Sequence, residues 1–281
     1  MIYILLSVSL SASLFLFFKW FDIKNIATLP AIIGNYIACI TTGIIMNQGV
    51  NFEQLNSSII LSSLVLGILF FAIFYAMAYS SSKIGVGISS AAAKLSLVIP
   101  VSYGALVLHE EFGLLRIVAL CLSIPAVVLM TYKKGEKWTL KSLAIPLVIF
   151  IGCGIIDTAL NVLQKNLNGS SPSSVIVLIF SMALVSSIVF SIATKVNITK
   201  EYKSLSHGII LGIPNYFSVH FMLLALGSGF LSSGQFYLVN NSMVMLLSFL
   251  LAWLFFSEKI NLYKLLGIGI SILSIYLILF A

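Results

Sequence analysis

Two ionisable side chains sit deep inside runs that are otherwise free of charge: Lys94 in AAAKLSLVIP (residues 91–100) and Asp157 in GCGIIDTALNVLQK (residues 152–165). An ammonium in such a place suits a carboxylate or phosphate, and a buried carboxylate suits an amine or a coupling proton. Lys94 shares a helical face with Gly87, Ser90 and Ala91, at spacings of seven, four and three. Asp157 shares one with Gly154, Asn161 and Gln164, the most polar face in the chain. The competing reading is a structural ion pair of Lys94 with Asp157, or a lysine bonded to helix carbonyls, holding helices together without touching a ligand.

Further polar groups fall within apolar runs. Asn240 and Asn241, with Tyr237 about one turn earlier, are candidates to face a cavity, although interhelical amide bonds of about 0.6 kcal/mol explain asparagines equally well. His220 follows Tyr216 by one turn, near Asn215, and could relay protons or simply be a satisfied core histidine. Tyr75 could stack on a flat ligand, whereas Tyr79 reads as an interface anchor. Glu110, Glu111 and Glu258 stand where a helix N-terminus favours a carboxylate, and so read as caps. Pro100 lies just beyond Lys94 and is the candidate hinge, with Pro125, Pro146 and Pro214 as further kinks.

The elements that must position these groups follow from composition. Of 281 residues 60% are hydrophobic and only 8% charged, and the mean hydropathy is +1.14. A soluble domain carries about 25% charge, so lipid must replace water over most of this surface. A spanning helix needs about 20 apolar residues. The runs 2–18, 26–46, 57–79, 84–108, 113–132, 142–163, 173–194, 205–226, 230–256 and 261–280 predict ten of them, and their length and lack of alternation exclude barrel strands. The first run lacks a basic start and a cleavage site, so it reads as a retained helix.

The cations behind the net charge of +7 sit singly or in small groups between the runs and read as loop charge, not as a nucleic-acid surface. Cys39, Cys121 and Cys153 lie in apolar runs, with no CxxC or His/Cys spacing for a metal, and read as packing residues. HEEF is not a zinc-protease motif, and no GxSxG or Walker loop occurs, so neither an enzyme nor an ATP-driven pump is expected. No cofactor is implied. The sequon-like triplets at Asn56, Asn168, Asn197 and Asn240 are attributed to chance.

Shifting the chain by 148 residues lays Glu110 on Glu258, Arg116 on Lys264 and Ser123 on Ser271, while Lys19 lies opposite Lys165 at a shift of 146. Five helices per half give halves of opposite orientation, over residues 1–132 and 142–281 with a loop at 133–141. The loops after odd-numbered runs collect nearly all the lysines, and the other side holds Arg116 and Lys165, which places both termini outside.

Ten predicted helices in two halves, His109-Glu110-Glu111 and Ser257-Glu258-Lys259 at matching helix ends, and the proline of LVIPVSYG together resemble the drug/metabolite transporter superfamily, EamA type. Two features depart from that pattern: the first run has no tryptophan-glycine pair, and Ser248 stands at the position matching Pro100. The resemblance implies a bacterial inner-membrane carrier, more often an exporter, with a central cavity bordered by helices 1, 3, 4, 6, 8 and 9. It also implies termini in the cytoplasm, against the charge count. The expectation is an all-α secondary transporter, monomer or homodimer, moving a small polar metabolite such as an amino acid or organic anion with a coupling proton or counter-substrate. A flippase for lipid or lipid-linked sugar and a non-transporting scaffold are the alternatives.

Overall fold

The computed structural model describes residues 1–47, 55–83, 89, 92–94, 96–107, 109, 113–131, 140–167, 171–196, 198–256 and 262–280. Glu110, Glu111 and Glu258, read as caps, lie outside them, as do Gly87, Ser90 and Ala91. The elements are α1 (Ile2–Ile23), α2 (Thr28–Met46), α3 (Ser57–Lys83), α4 (Val98–Leu106), α5 (Leu114–Thr131), α6 (Leu140–Lys165), α7 (Pro172–Ala193), α8 (Tyr202–Gly227), α9 (Ser233–Phe256) and α10 (Leu262–Phe280). There is no strand among the described residues. Among them, seven helices, α1 to α3 and α6 to α9, are long and apolar enough to cross a membrane. Large apolar side chains such as Ile45, Leu61 and Ile192 are exposed along these helices, as a lipid solvent requires. The chain is an all-α protein embedded in a membrane.

Local chemistry sets the helix starts. At α9, Ser232 and Gln235 form a reciprocal box: Gln235 N–H donates to Ser232 Oγ (3.3 Å) and Ser232 N–H to Gln235 Oε1 (3.0 Å). Asn56 Oδ1 accepts from Ile59 N–H at 2.8 Å and so caps α3. Ser171 caps α7, whose first residue is Pro172. These polar residues are why α9 begins at Ser233 and not at 230, where the apolar run starts.

Close helix contacts then build the bundle. A Cβ at Gly34 would overlap Leu205 O, and one at Gly208 would overlap Ala31 O, so α2 and α8 meet backbone to backbone. Gly67 does the same for α3 against α7 at Ile179 O. Gly152 and Gly154 seat α6 on Ile73 of α3 and Ile99 of α4. The helix neighbours pair up when five is added to each number. Thus α2 with α8 matches α7 with α3, α1 with α8 matches α6 with α3, and α1 with α9 matches α6 with α4.

The run 84–108, expected as one helix, is broken. Residues 92–94 are helical, 96 and 97 form a turn, and α4 restarts at Val98. Leu97 N–H donates to Lys94 O and Ile99 N–H to Ser96 O, contacts of a turn and not of a continuing helix. Pro100 sits in the first turn of α4, where a missing N–H costs no helical bond. The bend therefore precedes the proline that was expected to make it.

Candidate functional site

A cavity of ≈ 170 Å³ lies at the centre of the bundle. Helix α1 contributes Ser11, Leu14, Phe15 and Phe18, and α3 contributes Phe70, Ile73, Phe74 and Met77. Facing this apolar wall are Ala93 and Lys94 before the break, Cys153, Ile156, Asp157 and Leu160 of α6, and Asn240 and Asn241 of α9. Asn215, Ser218, Val219 and Met222 of α8 close the remaining side. These are the helices from which the resemblance draws its cavity.

Asn241 stands between the two charges. Lys94 Nζ donates to Asn241 Oδ1 at 3.3 Å, and its ammonium lies 5.6 Å from the centre of the Phe15 ring. The Asp157 carboxylate lies near enough to Lys94 and to the Asn241 amide to interact with both. Even so, Asn241 Nδ2 makes no hydrogen bond within 3.5 Å, and neither does Asn240 Oδ1. Lys94 and Asp157 keep partial exposure whereas Asn240 and Asn241 are buried. The result is an ammonium, a carboxylate and two amide atoms that make no hydrogen bond within 3.5 Å, all gathered at one hollow. Buried polar atoms are rarely left unpaired, because each costs about 1–3 kcal/mol. A bound polar solute would satisfy them.

Other expected residues do not reach this lining. Tyr237 donates to the backbone carbonyl of Asp157 (2.5 Å), bracing the turn that carries the carboxylate. Asn161 Oδ1 accepts from Ser233 Oγ at 3.0 Å, tying α6 to the start of α9. Tyr75 packs on Phe71 and Phe190, its ring centre 5.1 Å from that of Phe190, outside the cavity. A rotation of about 100° decides this, because Tyr75 follows Phe74 by one residue while Phe70, Phe74 and Met77 hold the inward face of α3. His220 stacks on Tyr216 at 5.6 Å with a buried Nδ1 lacking a partner, and it too lies outside the lining.

Sequence reading missed three contributors. Phe15, Phe18, Phe70 and Phe74 look like any other lipid-run phenylalanines. Cys153, read as a packing residue, lines the cavity with its Sγ 4.0 Å from Met77 Sδ. Cys39 is buried and donates to Gly212 O, while Cys121 is exposed and so does not pack inside. Asn215 lines the cavity while donating from Nδ2 to Asn35 Oδ1 at 3.0 Å. Its position one residue before Tyr216 was the available signal.

No family model matches the chain. It is 27% identical over 265 residues to an uncharacterized protein of Haemophilus influenzae, covering 90% of this chain and 89% of that one. Among solved structures, it superimposes on a protein of known crystal structure with a TM-score of 0.75, covering 98% of this chain and 94% of the other at 13% identity. At that identity the likeness speaks for the fold alone.

Proposed function

We propose that the chain is a secondary-active transporter that moves a small polar metabolite, such as an amino acid or organic anion, by alternating access around the central cavity. The observation that carries this reading is the meeting of Lys94 and Asp157 at one hollow beside amide atoms without partners. Intramembrane charge of this kind marks a solute or proton path more often than a brace. Lys94 would take a carboxylate or phosphate, and Asp157 an amine or the coupling proton.

Two features support the transport cycle. The helix break directly after Lys94 is of the sort that transporters place at midplane sites. The paired helix contacts are those expected of two inverted five-helix halves, in keeping with the EamA-type resemblance and its ten spanning helices. Export, a bacterial inner membrane and a proton or counter-substrate come with that resemblance. The charge count favours external termini.

A flippase is the second reading, and an apolar groove of ≈ 440 Å³ between α1 and α9, lined by Ile4, Val8, Val239, Leu247 and their neighbours, favours it. That groove shares no lining residue with the central cavity. The cavity itself is smaller than the roughly 300–1,000 Å³ of drug-sized ligand pockets. Size and separation favour a small solute.

The test is thermal stabilisation of the purified protein across a metabolite library, for wild type, Lys94→Ala and Asp157→Asn. A ligand whose stabilisation disappears in both variants supports the reading and identifies the class of solute. Equal stabilisation of all three proteins refutes the site.

A further inference from the structure

A second hollow of ≈ 260 Å³ lies where α1 ends and α2 begins, lined in part by Phe18, Phe21, Asp22, Asn25, Thr28 and Ala78. Phe18 lines this hollow and the central cavity alike, and no other described residue does. Its ring is buried and set edge-on against Phe74, the two centres 5.0 Å apart, with Phe74 belonging to the central cavity alone. Phe18 is thus a wall common to both spaces, with Phe74 packed on its inner side. Phenylalanine has two torsions and no polar atom, so turning Phe18 would join the spaces without breaking a hydrogen bond.

The outer hollow opens on the lysine-rich face. Among the described residues its ionisable lining group is the exposed Asp22 carboxylate, and Lys19 and Lys24 flank it in the sequence.

We infer that this hollow is an access vestibule for a small solute, and that Phe18 against Phe74 is the gate between it and the Lys94–Asp157 cavity. The vestibule's role rests on the transport reading. The gate's existence does not.

Cys153 supplies a reporter that needs no substrate, since its thiol lines the inner cavity. In full-length protein carrying Cys39→Ser and Cys121→Ala, in vesicles of known orientation, the rate of Cys153 labelling is measured with membrane-impermeant methanethiosulfonates. The cationic and anionic reagents are applied separately to each face. Phe18→Ala and the milder Phe18→Leu are expected to speed labelling severalfold from the α1–α2 face only. Phe18→Trp is expected to slow it. Unchanged rates in Phe18→Ala and Phe18→Leu, or equal gains from both faces, overturn the gate. Gated labelling in a protein that no metabolite stabilises would keep the gate and sink the transport reading.

Discussion

Two polar regions are buried in this bundle, and they are built on opposite terms. In the seam between α2, α7 and α8, polar groups answer one another. Asn215 donates to Asn35, Tyr216 to Ser173 Oγ at 2.9 Å, and Cys39 to Gly212 O at 3.2 Å. The glycines at 34 and 208 bring the backbones into contact alongside. Asn35 Nδ2 and Tyr36 OH are left over, but no Lys, Arg, Asp or Glu among the described residues is buried there. The central cavity differs in two ways: it holds the ionisable Lys94 and Asp157, and its unbonded amide atoms face open space. The seam holds helices together, whereas the cavity keeps polar groups beside open space. Asn215 belongs to both, so the cavity wall is tied by a hydrogen bond to α2.

The comparison breaks first at the seam. Gly208→Leu must drive a side chain into the Ala31 carbonyl, and it is expected to cost about 3 kcal/mol or more. Loss of folded yield and a collapsed melting transition would show this. A normal melt would mean that α2 and α8 are not locked.

At the cavity the expected sign differs. Lys94→Met with Asp157→Asn removes both charges at once, and the unliganded protein should melt at or above the wild-type temperature, because buried ion pairs are often neutral or costly. The same variant should lose the ligand-induced gain, which is about 2.7 kcal/mol for ligand at 100 times its Kd. Marked destabilisation of the unliganded double variant would transfer the two charges to the structural class.

Asn215→Leu tests the shared residue. It removes a buried amide bond and strands Asn35, and a cost of about 1–2 kcal/mol is expected together with weakened ligand binding. Stability lost with binding intact would separate the two regions.

Tyr237→Phe deletes the bond to the Asp157 carbonyl. A loss of about 0.6–1.5 kcal/mol is expected by thermal melting, with ligand affinity reduced less than in Asp157→Asn. Tyr75→Phe is expected to change stability by less than about 0.5 kcal/mol and binding not at all, since Tyr75 contributes ring packing away from the cavity. A clear binding defect would return Tyr75 to the ligand path.

The all-helical membrane architecture was legible because it depends on sums over long windows, and errors at single residues do not disturb sums. Lys94 and Asp157 were legible because charge in an apolar run is costly wherever the helix faces. The run 84–108 was misread as continuous because hydropathy records transfer to lipid and is blind to backbone direction; a turn at Ser96 and Leu97 is as apolar as a helix. Tyr75 and Asn161 were misplaced for another reason. Helical spacing says which residues share a face, and only neighbouring helices say whether that face meets lipid, protein or a hollow.

The sequence by itself determined that the chain is helical and membrane-embedded and that two charges lie deep within it, because transfer energies are properties of residues. Only the tertiary structure decided that Lys94 reaches Asn241, that Asp157 shares their cavity, and that Phe18 lines both it and a second one. Those are facts about separations between atoms far apart in the chain, set by glycine contacts and helix crossings that no local pattern encodes.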